Sequence, residues 1–251
     1  MAVPKKVVQR LSAGIKQFRP ILEQAKARDI NEADTVQVVA GLLVDVFGWH
    51  PFFEVTKEYA VRSTFVDLAV KSDQGVAYLI EVKAIGADLR ENHLRQAVNY
   101  AANQGIDWVV LTNGQIWRAY KVLFNKPISE ELVFEVDLLS ASPKDPAVQD
   151  RLFVLTKEGM TKSAIAQFHE EQLAMSKYNV AAVLRSPDVG RIVRREIRRA
   201  FPNCSPSQEE ILAIIEGDVL KREVTEGPKA DEARKRMERA SRPLRKGRKP
   251  R

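Results

Sequence analysis

The stretch Phe65–Lys83 reads FVDLAVKSDQGVAYLIEVK, and its second half leaves a fold few choices. Val76–Val82 is apolar at almost every position, on both alternating faces, which marks a strand covered on both sides. Asp67, Glu81 and Lys83 nevertheless sit inside the apolar runs. Ionisable side chains are seldom buried unless they are paired or bound to a metal. Three of them in so short a stretch need one cause.

Strand geometry supplies it. Side chains alternate, so Glu81 and Lys83 point to the same face. Asp73-Gln74-Gly75 predicts a three-residue hairpin loop with Gly75 in the left-handed region. That loop pairs Ser72 with Val76. Counting back along the antiparallel strands then sets Asp67 opposite Glu81 and Phe65 opposite Lys83. A loop one residue shorter or longer shifts the register and breaks the alignment. Two carboxylates and an ammonium are therefore expected on one sheet face. Carboxylates that close repel, and a hard divalent cation relieves the repulsion. Mg²⁺ takes one or two carboxylates and keeps water elsewhere. A lysine beside it can steady charge growing on a phosphate. The set suits metal-assisted phosphodiester hydrolysis. A strand salt bridge, Glu81 with Lys83 or Asp67 with Lys83, is the plainer reading of these residues alone.

The flanking chain adds context. Val7, Leu11, Ile15, Phe18, Leu22 and Ala25 recur at helical spacing over 5–28, and Pro20 predicts a kink or break after Arg19. The stripe packs on its own domain or serves as a docking surface. Asn31 is a suitable cap for a helix over Glu32–Phe47, with Val36, Val39, Ala40, Leu43 and Phe47 inward. Glu32 falls on that inward side, although a first-turn glutamate also suits the helix dipole. Phe53–Val61 reads as the first strand. Asp88 is expected to cap a helix whose core side is Leu94, Ala97, Val98 and Ala101. Gln96 and Tyr100 share one face of it, beside His93. Asp107–Thr112 is a short apolar strand, Asn113-Gly114 a two-residue hairpin turn, and Gln115–Leu123 the return strand. A last strand is read over Leu132–Leu138. Pro143–Pro146 marks the end of this core.

The order of these pieces resembles the PD-(D/E)xK nuclease superfamily. It is most similar to the N-terminal nuclease domain of the motor subunit of type I restriction enzymes. The resemblance is carried by Glu32, LLVDVFGW at 42–49, Asp67 in FVDLAV, Glu81 and Lys83 in IEVKAIG, QAVNY at 96–100 and LTNGQIW at 111–117. It covers about residues 30–140. The family's Pro before the Asp is replaced by Val66. The resemblance implies an α/β, restriction-endonuclease-like core, a mixed central sheet flanked by helices. It implies a DNA endonuclease using Mg²⁺ or Mn²⁺. Asp67 and Glu81 would hold the metal, Lys83 would orient or activate water, and Glu32 would assist. Gln96 and Tyr100 would position DNA. No P-loop sequence is present, so translocation would need a separate motor or methyltransferase partner, or cutting proceeds without it, with a homodimer for double-strand breaks. The alternative is a catalytically silent binding or assembly subunit on the same fold.

The second half changes character. Residues 143–224 read as a helical C-terminal extension, with one long helix or two short ones over Thr161–Arg185 and another opened by Pro187. In the latter, Arg191, Arg194, Arg195, Arg198 and Arg199 form one stripe, while Val189, Val193 and Ile197 form the buried one. The arginines suit a phosphate backbone, or form a solvated face paired to acids. From Thr225 onward a basic disordered tail is expected, with Ala230–Ala240 at most transiently helical. The net charge of +7 is concentrated there: Lys229–Arg251 holds eleven Lys/Arg against three Asp/Glu. The organisation expected is an N-terminal helical segment (1–30), the nuclease-like core (31–142), the helical region (143–224) and the tail (225–251). One cysteine excludes an internal disulfide and a Cys-based zinc site and fits a reducing cytoplasm. No apolar run is long enough to span a membrane.

Overall fold

A computed structural model describes residues 3–61, 64–124 and 126–240. The chain forms two compact units, Met1–His169 and Glu170–Arg251. The first is an α/β domain built on one six-stranded sheet in the order β1-β2-β3-β4-β5-β6. Its strands are β1 (Val55–Val61), β2 (Thr64–Ser72), β3 (Gly75–Val82), β4 (Trp108–Thr112), β5 (Ile116–Leu123) and β6 (Ser129–Asp137). Neighbours are antiparallel except β3 and β4, which run parallel. A parallel pair needs a crossover, and α3 (Arg95–Gln104) supplies it after a 3-10 turn over Glu91–Leu94.

Two apolar layers cover the sheet. On one side α1 (Lys5–Ala27) and α2 (Glu32–Asp45) pack with Leu68, Tyr78, Ile80, Val82 and Trp117. On the other, Leu94, Ala97, Val98 and Ala101 pack on Ala69, Leu79, Val109 and Leu111. The strand β4 is buried at every position. β4 and the middle of β3, residues 78–80, are thus dry on both faces, as their continuous apolar runs require, while Val76 and Ala77 are only partly covered.

The hairpin between β2 and β3 differs from expectation. Ser72 pairs with Gly75, so the loop is the two-residue Asp73-Gln74. A β-bulge at Val70/Lys71 then shifts the pairing by one, and Val70 faces Tyr78, Ala69 faces Leu79, and Leu68 faces Ile80. The shorter loop would have broken the expected alignment; the bulge restores that register over residues 68–70, but the expected partners, Asp67 with Glu81 and Phe65 with Lys83, do not pair in the ladder. Gly75 has φ of +109°.

Other boundaries also move. No break follows Arg19, because α1 runs unbroken through Pro20. Pro20 is exposed, and Phe18 and Leu22 anchor the helix on either side of it. The inward stripe of α2 is Thr35, Val39, Leu42 and Leu43, so Val36 and Ala40 are only partly covered. Strand β1 begins at Val55, after a turn over 51–54. Asp88 caps no helix. Nor is Asn113-Gly114 the centre of its hairpin, since Asn113 N–H reaches Ile116 O and Thr112 pairs with Trp117. The Asn113 amide is instead buried, donating to Ile85 O and Ala87 O and accepting from Ile116 N–H. The first unit also continues beyond Pro143–Pro146. The helices α4 (Pro146–Phe153) and α5 (Lys157–Thr161) follow, and Leu152 and Phe153 join the core of α1.

The second unit is helical, as expected. The helix α6 (Ala164–Ala174) begins in the first unit, where Ala164, Ile165 and Phe168 join the core, and is followed by α7 (Lys177–Leu184), α8 (Pro187–Ala200), α9 (Gln208–Ile214), α10 (Arg222–Thr225) and α11 (Pro228–Ala240). Gly190 lets α8 approach α9: an added Cβ would lie 3.1 Å from Gln208 and Leu212. Disorder from Thr225 is corrected over Pro228–Ala240, where Ala230 and Ala233 are buried and Arg236 donates to Asn179. Residues 241–251, the rest of the expected tail, lie outside the described residues. Among the described residues no helix is long and apolar enough to cross a membrane.

Gly75→Ala tests the hairpin. No atom lies within 4 Å of the added Cβ, so the whole cost is backbone strain in the left-handed region, about 1–2 kcal/mol. Urea unfolding should show that loss.

Candidate active site

Pairing between β2 and β3 stops at Leu68–Ile80, while β3 continues with β4 through Glu81–Leu111 and Val82–Thr112. The ladder therefore opens on one side just where Asp67 and Glu81 stand. The Val82 N–H, left without a carbonyl from β2, donates to Asp67 Oδ2 at 2.7 Å. Ala69 and Leu79 face the α3 layer, and alternation puts Glu81 on that side as well. Val66 packs in the same layer while Leu68 packs in the other, so Asp67 is placed by its bond to Val82 N–H and not by alternation. Lys83 Nζ donates to Glu81 Oε1 at 2.8 Å and to Glu32 Oε2 at 3.3 Å. Its own N–H is held by Thr112 O at 2.8 Å.

Glu32 reaches this point from the first turn of α2. Asn31 caps that helix by accepting from Asp34 N–H at 2.9 Å. Thr35, three residues on, is buried, so Glu32 projects from the end of the packed stripe. It is not buried there: its side chain is 49% exposed, against 13% for Glu81 and 19% for Lys83.

Burial sets the electrostatics. It pushes the Asp67 carboxyl up, against the Val82 N–H and the Lys83 charge, with Glu32 adding to the rise. It pushes Glu81 up as well, opposed by the Lys83 bond and reinforced by the Asp67 charge. For Lys83 burial works downward, but the bond to Glu81 and the charges of Glu81, Glu32 and Asp67 outweigh it and raise its pKa. Asp67 and Lys83 each act on the Glu81 charge, and Lys83 bonds both Glu81 and Glu32.

The donor set suits a hard cation. Asp67 and Glu81 offer carboxylate oxygens in a site where their own charge is unfavourable, and a divalent ion would offset it. Among the described residues no group of three or more His, Cys, Asp or Glu is placed to hold a metal.

The nucleic-acid candidates divide. Gln96 is exposed on α3, and its Nε2 donates to Phe65 O at 3.1 Å. Tyr100 meets Tyr59 edge-on, with ring centroids 6.0 Å apart. Burial, then the bond to Tyr59, raises its phenol pKa. Arg191, Arg194, Arg195, Arg198 and Arg199 lie on α8, in the second unit. Arg191, Arg195, Arg198 and Arg199 are exposed; Arg191 pairs with Asp188, and Arg195 and Arg199 with Glu196. Arg194 departs from the stripe, donating from Nε to Pro206 O at 2.9 Å. The expected buried stripe of Val189, Val193 and Ile197 is only partly covered, and Gly190 is the buried residue of α8.

Two features of the site had no signal in the sequence reading. One is the Val82 N–H that holds Asp67. The other is Phe65, which is 60% exposed although it lies two residues from Asp67.

Asp67→Asn should raise the Tm of metal-free protein at pH 7 by a few degrees. Asn keeps the acceptor for Val82 N–H and removes a partly desolvated charge. The native state holds the Asp67 proton more tightly than the unfolded chain, so wild-type stability falls as pH rises through that window. The advantage of Asn should therefore be full above the raised pKa and gone below the ordinary value of 3.8. Thermal unfolding from pH 3 to 8 measures it.

A sequence model of one family, the type I restriction enzyme R protein N terminus, matches residues 52–133. That segment holds Asp67, Glu81, Lys83, Gln96 and Tyr100, while Glu32 and the α8 arginines lie outside it. No curated protein and no solved structure matches the chain. From 52 to 133, then, the chain is similar to the N-terminal domain of the type I restriction enzyme R protein.

Proposed function

We propose that the protein is a metal-dependent DNA endonuclease of restriction or phage-defence type, acting in the cytoplasm. The observation that carries this reading is the convergence of Asp67, Glu81 and Lys83 where the β2–β3 ladder opens. The family of the matched segment supports it.

Asp67 and Glu81 would hold Mg²⁺ or Mn²⁺. The bound ion would supply a Lewis acid for the phosphoryl oxygen and an acidified water. The Val82 N–H fixes Asp67, and Glu81 fixes Lys83. Because its acidic neighbours hold it protonated, Lys83 acts as an orienting donor and as positive charge facing the phosphate, not as a general base. Glu32 assists from the rim by sharing the Lys83 ammonium. Gln96 and Tyr100 would border the DNA path, and Arg191, Arg195 and Arg198 would engage phosphates. A second copy of the chain, or separate motor and methyltransferase subunits, would be the protein partners.

A second reading, a DNA-binding or assembly subunit without catalysis, has one observation in its favour. Lys83 is paired with both Glu81 and Glu32, so the cluster partly neutralises itself.

Plasmid nicking separates the two. Wild type should cut with Mg²⁺ or Mn²⁺ and not with chelator, and Lys83→Ala should lower the rate by about a hundredfold to a thousandfold. Asp67→Ala should do at least as much. Mg²⁺ should also raise the Tm of wild type but not of Asp67→Asn. Binding without cutting under every metal would establish the silent subunit instead.

A further inference from the structure

We infer that Phe65 is a nucleobase-stacking residue beside the hydrolytic groups, and that the preferred substrate is single-stranded DNA. This rests on the nuclease reading and goes beyond it by naming the substrate form.

Phe65 is anomalous where it stands. Every other apolar residue of β2 with a described side chain, Val66, Leu68, Ala69 and Val70, is fully buried, yet Phe65 is 60% exposed. A bare phenyl ring in water has an unfavourable hydration that neither the cores nor the register requires. Two residues of strand span roughly 7 Å, so the ring stands about one nucleotide from Asp67. Nor is its backbone left loose. Phe65 pairs with Ala60 on β1, and the Gln96 side chain donates to its carbonyl from α3. Two elements therefore fix the position of a ring that contributes little to the fold.

The occupant follows from the neighbours. Asp67, Glu81 and Lys83 are equipped for a phosphodiester, and on either side of a phosphodiester lies a base. An aromatic ring stacks on any base, because each has a π-face. In a duplex those faces are taken up by stacking, so a ring at this distance gains contact only where the strand is unpaired. Tyr100, the aromatic the sequence marked for such contact, is already set edge-on against Tyr59. Gln96 then acts as a positioning residue, holding the β2 backbone under the ring.

The test uses the full chain, Ca²⁺ in place of Mg²⁺ to prevent cutting, and anisotropy with a labelled single-stranded oligonucleotide and its blunt duplex. Phe65→Ala should weaken single-strand binding on the order of tenfold and change duplex binding less than twofold. Phe65→Trp should restore it; Phe65→Leu, which keeps apolar bulk without a ring, should not. Gln96→Glu, which cannot donate to Phe65 O, should shift single-strand binding in the direction of Phe65→Ala. With wild-type protein, 2-aminopurine in the single strand should be quenched at one position, and Phe65→Leu should relieve the quench. Equal single-strand binding by wild type and Phe65→Ala, or an equal loss on both substrates, overturns the inference. So does the absence of single-strand binding by wild type. If the stacking signature holds but no metal supports cutting, the nuclease reading fails and Phe65 stands as a base-stacking residue of a single-strand-binding protein. If cutting holds and Phe65→Ala is indifferent, the reverse is true.

Discussion

Negative charge is held out of water at the end of β3, and much of the domain is arranged around that fact. Glu81 keeps 13% of its side-chain surface, and Asp67 is largely covered. Neither would stay there alone, since an isolated buried carboxylate takes up a proton instead. Three partners make the placement tolerable: the Lys83 ammonium, the Val82 N–H and the opening of the ladder itself. The last has a topological cause. Because β3 and β4 are parallel, their connection must cross over, and α3 closes the sheet face above Leu79 and Leu111. The same helix brings Gln96 to Phe65. The dry sheet face and the Gln96–Phe65 contact thus come from one connection.

The register of β2 and β3 shows what a sequence can and cannot convey. Alternation placed Glu81 and Lys83 on one face, and that follows from covalent geometry alone. The expected pairing of Asp67 with Glu81 rested on Gly75, which does take a left-handed φ, but as the residue that closes a two-residue loop. A bulge at Val70/Lys71 compensates. Bulges leave no compositional mark when every residue involved is apolar or long, as Val70, Lys71 and Ala77 are. The register over residues 68–70 was legible and the route to it was not, and the ladder ends before it reaches Asp67 and Glu81. The Asn113-Gly114 turn failed for a related reason. The dipeptide favours a turn, but the Asn113 amide instead bonds the carbonyls of Ile85 and Ala87. A tertiary contact of this kind outweighs local turn preference, and nothing in the pair of residues announces it.

Helical stripes were read more faithfully, with errors of one position. Leu94, Ala97, Val98 and Ala101 are all buried as the spacing required. In α2 the stripe passes through Thr35, since Thr35 satisfies its own hydroxyl on Asn31 O at 2.8 Å and so can be fully covered. The α8 arginines show the limit of a stripe argument. Periodicity grouped Arg194 with its neighbours, yet it lies over the loop before α9 and serves Pro206 O. The helical wheel gives a side chain's direction, not what stands beside the helix. The helix over Pro228–Ala240 was hidden by composition, because its charge resembles a disordered tail while its two buried alanines are too small to register as a stripe.

Lys83 touches two acids, and their unequal settings decide which one governs it. The contact with Glu81 is 2.8 Å long and largely withdrawn from solvent; that with Glu32 is 3.3 Å, and Glu32 is 49% exposed. An ion pair at the second kind of site contributes little, roughly 0–1 kcal/mol, because water screens it. Glu32 also has an independent reason for its place, as a negative charge in the first turn of α2. Lys83 is therefore anchored by Glu81, two residues back on its own strand, where the rigid pleat sets the spacing. An ammonium fixed in that way is a poor proton shuttle and a good stationary charge. Its position relative to Asp67 is then as firm as the sheet. The half-solvated Glu32 can release Lys83 without uncovering the core.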